Sequence, residues 1–271
     1  MRVTLIQTDL HWENPAANRD AFTKKLLPLA GQTDLVVLPE MFTTGFSMHP
    51  QDKAEVFPGI TLDWMLSLSF EIDAAIVGSV MSLERRYSNR LIFAKPNGSY
   101  EYSDKRHLFR MAGEDKNYSA GEERVIIEWK GWRILPLVCY DLRFPVWSRN
   151  VNMIKPQNKY ATSKLEIAYD LLLYIANWPE RRRQAWNTLL PARGIENLSY
   201  VAAVNRIGTD GTGLSYSGDS AVYDYLGNRI STVQPFTDCM ETIELNKRSL
   251  DEFREQFPAW KDADGFEYFG R

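Results

Sequence analysis

Ile134-Leu135-Pro136-Leu137-Val138-Cys139-Tyr140-Asp141-Leu142-Arg143-Phe144-Pro145 is an apolar run that ends on a thiol and gives way at once to charged and turn-forming residues. An uninterrupted apolar stretch fits a strand buried on both faces, and such strands belong to parallel sheets covered by helices. In those sheets, sites collect just past the carboxyl ends of the strands. Cys139 stands at that place. A free cysteine is also among the most buried residue types, and taken alone packing is its commoner fate.

Working outward, the same pattern recurs. Residues 2–8, Asp34 to Leu38, Ala74 to Val80 and Leu171 to Ala176 read as buried strands, with helices expected from Asn14 to about Gly31 and over about 60–70. Pro96-Asn97-Gly98 predicts a hairpin turn between strands Tyr87 to Ala94 and Ser99 to Ser103, because Asn and Gly tolerate positive φ. Lys130-Gly131 predicts a second hairpin, whose returning strand delivers Cys139. Beyond it lie a helix from Glu180 to about Asn197, locally disturbed by Pro191, and strands at Tyr200 to Val204, Ser220 to Tyr223, Arg229 to Val233 and Met240 to Leu245. A late helix runs from Lys247 to about Phe257. The expectation is one layered, strand-rich α/β domain over 1–271, with residues 151–168, polar and lysine-bearing, as a surface insertion.

Composition narrows the function. With 44% hydrophobic and 25% charged residues the chain has a core's worth of apolar material and no disorder signature. A net charge of -3 argues against a protein built to neutralise nucleic-acid phosphates. The amino terminus enters a strand without a signal-peptide core, and no stretch approaches membrane-spanning length, so neither secretion nor a membrane is expected. The residues His11, His49 and His107 are scattered and no Cys-x-x-Cys occurs, so no metal is expected.

Two further residues stand where Cys139 does, close after a strand. Glu40 follows Leu38-Pro39 and precedes apolar Met41-Phe42, a setting in which partial burial favours a general base. Lys105 closes the first hairpin within Asp104-Lys105-Arg106-His107. Each residue alone is ordinary, since most glutamates and lysines are solvated. Together they supply a nucleophile, a base and a fixed cation, which suffices for acyl transfer through a thioester without histidine. Lys105 and the backbone N–H of Tyr140 are then the candidate donors to the tetrahedral oxyanion.

The three stretches Leu38-Pro39-Glu40-Met41-Phe42-Thr43-Thr44-Gly45-Phe46, Asp104-Lys105-Arg106-His107-Leu108-Phe109 and Val138-Cys139-Tyr140-Asp141-Leu142-Arg143-Phe144-Pro145 resemble, in order, the motifs of the nitrilase superfamily of carbon-nitrogen hydrolases. The resemblance covers essentially the whole chain. It implies a four-layer αββα sandwich with mixed sheets, Cys139 as nucleophile, Glu40 as general base and Lys105 as transition-state stabiliser, with Glu114 as a second, positioning glutamate. It implies no cofactor, a cytoplasmic setting and a homodimer.

Ile175-Ala176-Asn177-Trp178-Pro179 and the run after Cys139 look like those of bacterial omega-amidases, which release ammonia from the terminal amide of 2-oxoglutaramate or 2-oxosuccinamate. The implied partner is a small-molecule amide bearing a carboxylate, with Arg143 or Arg206 as its cation and Trp178 or Phe42 as apolar walls. Another amidase of the superfamily, acting on aliphatic, carbamoyl or deaminated-glutathione amides, and a binding protein on the same scaffold are the alternatives.

Overall fold

The computed structural model describes residues 1–154 and 164–264. Its first sheet is built on three parallel neighbours, β1 (Arg2–Gln7), β2 (Leu35–Val37) and β3 (Ala75–Leu83). The chain then turns back through β4 (Tyr87–Ala94) and β5 (Tyr100–Asp104), both antiparallel to their neighbours. In the second sheet β6 (Ile127–Trp129) pairs antiparallel with β7 (Trp132–Val138), and β7, β8 (Leu171–Ala176) and β9 (Tyr200–Asn205) run parallel. An antiparallel strand closes the far edge of each sheet, β10 (Ala221–Tyr223) beside β9 and β11 (Cys239–Glu244) beside β1.

Alternation along the strands explains the layering. Val3, Leu5, Leu35, Val37, Val77 and Phe93 turn inward to the second sheet, whereas Ile6, Val36, Ile76 and Ile92 turn outward. The outward set is covered by Phe22 and Leu26 of helix α1 (Pro15–Leu26) and by Leu62, Met65 and Leu68 of helix α2 (Ile60–Ile72). Trp186 and Leu190 of helix α3 (Arg183–Asn197) and Leu250 of helix α4 (Lys247–Gln256) pack on the second sheet. The result is the expected αββα sandwich with mixed sheets. Among the described residues no helix is long and apolar enough to cross a membrane.

Local departures from the expected elements have local causes. The first helix stops at Leu26 and tightens into a 3-10 turn at Leu27–Leu29, where Pro28 has no N–H to continue the ladder. Pro191, by contrast, does not interrupt α3, whose inner face of Trp186, Leu190 and Arg193 is buried on both sides of it. Arg229 to Val233 forms no strand and meets β10 through an isolated bridge to Tyr223. There the Ser231 hydroxyl, not a backbone carbonyl, accepts the N–H of Val222, which substitutes a side chain for a ladder bond. The expected insertion at 151–168 opens with Asn152–Ile154 paired to Lys164–Glu166, and its residues 155–163 lie outside those described.

Phe42 belongs to this frame. It is fully buried among Phe22 and Trp64, with ring centroids 5.5 and 5.7 Å away. A Cβ at Gly78 of β3 would lie 2.7 Å from its Cδ1. Gly78→Ala therefore forces Phe42 and the chain just past Glu40 to shift. We expect a loss of about 1–3 kcal/mol, the usual range for overpacking, read as a lower urea midpoint at unchanged slope.

Candidate active site

Glu40, Cys139 and Asn177 emerge from the carboxyl ends of β2, β7 and β8, and Lys105 immediately follows β5. The turns that aim them are tight. Met41 and Cys139 both adopt positive φ, +43° and +46°, a region that side chains other than glycine rarely occupy. The Met41 turn is held by its N–H donating to Ser79 Oγ at 2.8 Å. The Cys139 turn is held by Asp141, whose Oδ2 accepts the N–H of Val138 at 3.0 Å. Its Oδ1 lies 2.9 Å from the backbone N of His107 and 2.8 Å from Nδ1 of the same residue. Asp141 thus ties the Cys139 turn of one sheet to the Lys105 loop of the other. The imidazole of His107 is stacked on Phe144, 3.7 Å between centroids, and serves as packing in this clamp.

The structure brings Glu40, Lys105, Glu114 and Cys139 together. Lys105 Nζ donates to Glu40 Oε1 at 2.9 Å and approaches both Glu114 oxygens at 3.0 and 2.9 Å. The Phe46 ring lies 5.0 Å from the same ammonium, at cation–π distance. Glu40 also accepts from Asn89 Nδ2 at 2.7 Å and from the Asn177 N–H at 2.8 Å. Glu114 accepts from the N–H of Phe109 at 2.6 Å, and Asn89 Nδ2 reaches it at 3.3 Å. Glu40, Glu114 and Lys105 are all but fully buried, so their charges rest on one another and on these amides. The Cys139 thiol lies 3.9 Å from the Asn177 carbonyl oxygen.

Burial acts on each group differently. It pushes the Cys139 thiol well above its ordinary range, with the Glu40 and Glu114 carboxylates adding to the rise and Lys105 opposing it. The neutral thiol is thus favoured over the thiolate at Cys139. Burial works against the Lys105 charge, yet Glu114 and Glu40 outweigh it and hold the amine above its ordinary value, so it stays an ammonium. Glu114 is raised by burial and by Glu40, with Lys105 and the Phe109 N–H opposing.

Lys105 and Cys139 lie on the wall of a cavity of about 220 Å³, whose lining also includes Phe46, Phe109, Arg181, Arg182 and Tyr216. Of the residues expected to contact substrate, Tyr140, Arg143 and Trp178 line it. Phe42 does not, because it is spent on the core between the first sheet and its helices. Arg206 does not either. Its buried guanidinium pairs with Asp9, donates through Nε to the Ile207 carbonyl at 3.0 Å and lies under the Tyr216 ring, one layer behind the wall. Sequence reasoning missed Asn89, Asn177, Asp141, Arg181 and Arg182. Asn177 had a signal, since it follows β8 as Cys139 follows β7.

Sequence comparison agrees with this geometry: the chain belongs to the carbon-nitrogen hydrolase family, whose pattern matches residues 2–255, and is a hydrolase of carbon–nitrogen bonds. Omega-amidase YafV of Escherichia coli K12 is 45% identical over 267 residues, covering 98% of each chain. The 2-oxoglutaramate amidase of Bacillus subtilis is 27% identical, covering 96% of each chain. Among solved structures, XC1258 of Xanthomonas campestris, a protein of this superfamily with an arsenic adduct in its active site, superposes with a TM-score of 0.92 at 47% identity and 99% coverage of both chains.

Proposed function

We propose that this protein is an omega-amidase that hydrolyses the terminal amide of a small 2-oxo-dicarboxylic acid monoamide, 2-oxoglutaramate or 2-oxosuccinamate. The observation that carries the reading is Cys139 and Lys105 side by side on the wall of one small cavity, with Glu40 bonded to Lys105 and with Arg143, Arg181 and Arg182 in the same lining. The 45% identity to an omega-amidase supports it. In this reading Cys139 Sγ attacks the amide carbon while Glu40 takes the thiol proton. Lys105 and the Tyr140 N–H hold the developing oxyanion. Glu40 then passes the proton to the departing nitrogen, and ammonia leaves a Cys139 thioester. Water that loses a proton to Glu40 releases the 2-oxo acid and restores the thiol. Glu114 acts through Lys105, fixing the ammonium against Glu40. Arg143, over the Trp178 ring at 5.1 Å, faces the substrate's far carboxylate.

The enzyme would work in the cytoplasm as a homodimer, without metal or cofactor. An ammonia-release panel tests the substrate. We expect kcat/KM on 2-oxoglutaramate or 2-oxosuccinamate to exceed that on aliphatic amides and N-carbamoyl amino acids by about 100-fold or more, the scale set when a site's polar groups are left unpaired. Higher turnover of an N-carbamoyl or neutral aliphatic substrate would replace this reading with another amidase of the family.

A further inference from the structure

The two buried carboxylates beside Lys105 are unequally supplied with donors. A carboxylate offers about four lone-pair sites, two on each oxygen. On Glu114 both oxygens are met twice: Oε1 by Lys105 Nζ at 3.0 Å and Asn89 Nδ2 at 3.3 Å, Oε2 by Lys105 Nζ at 2.9 Å and the Phe109 N–H at 2.6 Å. On Glu40, Oε1 accepts from Lys105 Nζ at 2.9 Å and from Asn89 Nδ2 at 2.7 Å. Among the described residues, the Asn177 N–H at 2.8 Å is the only N–H donor to Glu40 Oε2. The carbonyl of that same Asn177 lies 3.9 Å from the Cys139 sulfur, so the less occupied oxygen is the one tied to the residue beside the thiol.

Asn89 creates this asymmetry. It is fully buried on the inward face of β4, in line with Leu91 and Phe93. Its Nδ2 and Lys105 Nζ each bridge Glu40 Oε1 to Glu114 Oε1, closing a ring of two nitrogens and two oxygens. Asn89 Oδ1 is buried with no hydrogen-bond partner among the described residues, so the side chain serves here through its NH2. Resting on the Glu40 mechanism proposed above, we infer that Asn89 is a positioning residue: with Lys105 it fills Oε1 of Glu40 and makes Oε2 the oxygen that takes the thiol proton. As Cys139 Sγ bonds to the amide carbon, the S–H proton passes to Oε2, and Oε2 gives it to the nitrogen as the C–N bond breaks. Glu114, with two donors on each oxygen, has no site left for that proton.

Asn89→Leu in the full-length enzyme, with 2-oxoglutaramate as substrate, separates this role from packing. Among the described residues that line the cavity Asn89 is absent, so we expect KM to stay near its wild-type value while kcat falls about 10- to 100-fold, the scale of a misplaced proton acceptor. The acid limb of kcat/KM, a joint property of Glu40, Glu114, Lys105 and Cys139, moves to higher pH by about one unit or more, because a donor to a carboxylate favours its ionised form. Packing damage alone lowers the folded fraction and leaves that limb in place. Asn89→Ser, whose hydroxyl ends where the amide carbon stood, gives the same shift and is the variant to read if Asn89→Leu does not fold. A wild-type kcat, or an acid limb that stays in place, overturns the inference, while loss of turnover in Cys139→Ala upholds the amidase reading. A wild-type enzyme that takes a different amide overturns the omega-amide reading, and the same two readouts on that amide then decide the inference; one that takes no amide overturns both.

Discussion

Replacing Cys139 by Ala is expected to lower kcat/KM on 2-oxoglutaramate by about 10^4-fold or more, the scale seen when a nucleophile that acts as a unit with its base is removed. The side chain is small and nearly buried, so the variant should unfold close to the wild-type midpoint. Cys239, on the edge strand β11, is the internal control, and its replacement should leave turnover intact. Intact-mass spectrometry of the wild type quenched during turnover should show an acyl adduct that Cys139→Ala lacks. The pH dependence of the free thiol follows from its surroundings. Burial and two carboxylates raise it, so its alkylation by iodoacetamide should still be rising with pH above about 8.5, where a free cysteine is half ionised. A plateau at or below neutral pH would mean a preformed thiolate and would remove Glu40 from its role as base.

Lys105→Met is the second large effect, and it acts on stability as well as rate. The substitution leaves Glu40 and Glu114 buried side by side with no cation, and breaking a buried pair of this kind costs about 3–5 kcal/mol. Loss of an oxyanion donor should lower kcat by about 10^2- to 10^3-fold beyond any effect of unfolding. The combination of Lys105→Met with Glu40→Gln and Glu114→Gln separates the two consequences. With no charge left to strand, denaturant stability should recover most of the loss while activity does not recover. If Lys105→Met alone kept the wild-type midpoint, the ammonium would not be what holds the two carboxylates in place.

How much of this was legible in the sequence depends on what kind of interaction places each residue. Buried parallel strands announce themselves by uninterrupted apolar residues, so the strands leading to Glu40 and Cys139 and the hairpin leading to Lys105 were readable, and the motifs gave the αββα layering. Phe42 and Arg206 were misread because an aromatic or a cation near a site motif carries no mark of which way it faces. Phe42 turns to the helix side of its sheet, and Arg206 spends its charge on Asp9. Asn89 and Asn177 escaped notice for the opposite reason. A neutral amide does its work through fixed hydrogen bonds, Asn89 within the first sheet and Asn177 across the gap between sheets, and such bonds have no signature in a linear pattern. The polar triplet Ser88-Asn89-Arg90 inside an otherwise apolar strand was the available hint. Arg181 and Arg182 stand in a charged run at a helix start, and only the cavity shows what they border.

The bond between the Asn177 N–H and Glu40 Oε2 joins residues 137 apart in the chain, and the one between Lys105 and Glu40 joins residues 65 apart. Glu40 belongs to one sheet and the Cys139 thiol to the other, so neither half of the sandwich contains the pair that the proposed mechanism needs. A chain still emerging from synthesis, or one whose two sheets have not yet closed on each other, carries at position 139 an ordinary unassisted cysteine. On the proposed mechanism, chemical competence is thus an attribute of the finished stack.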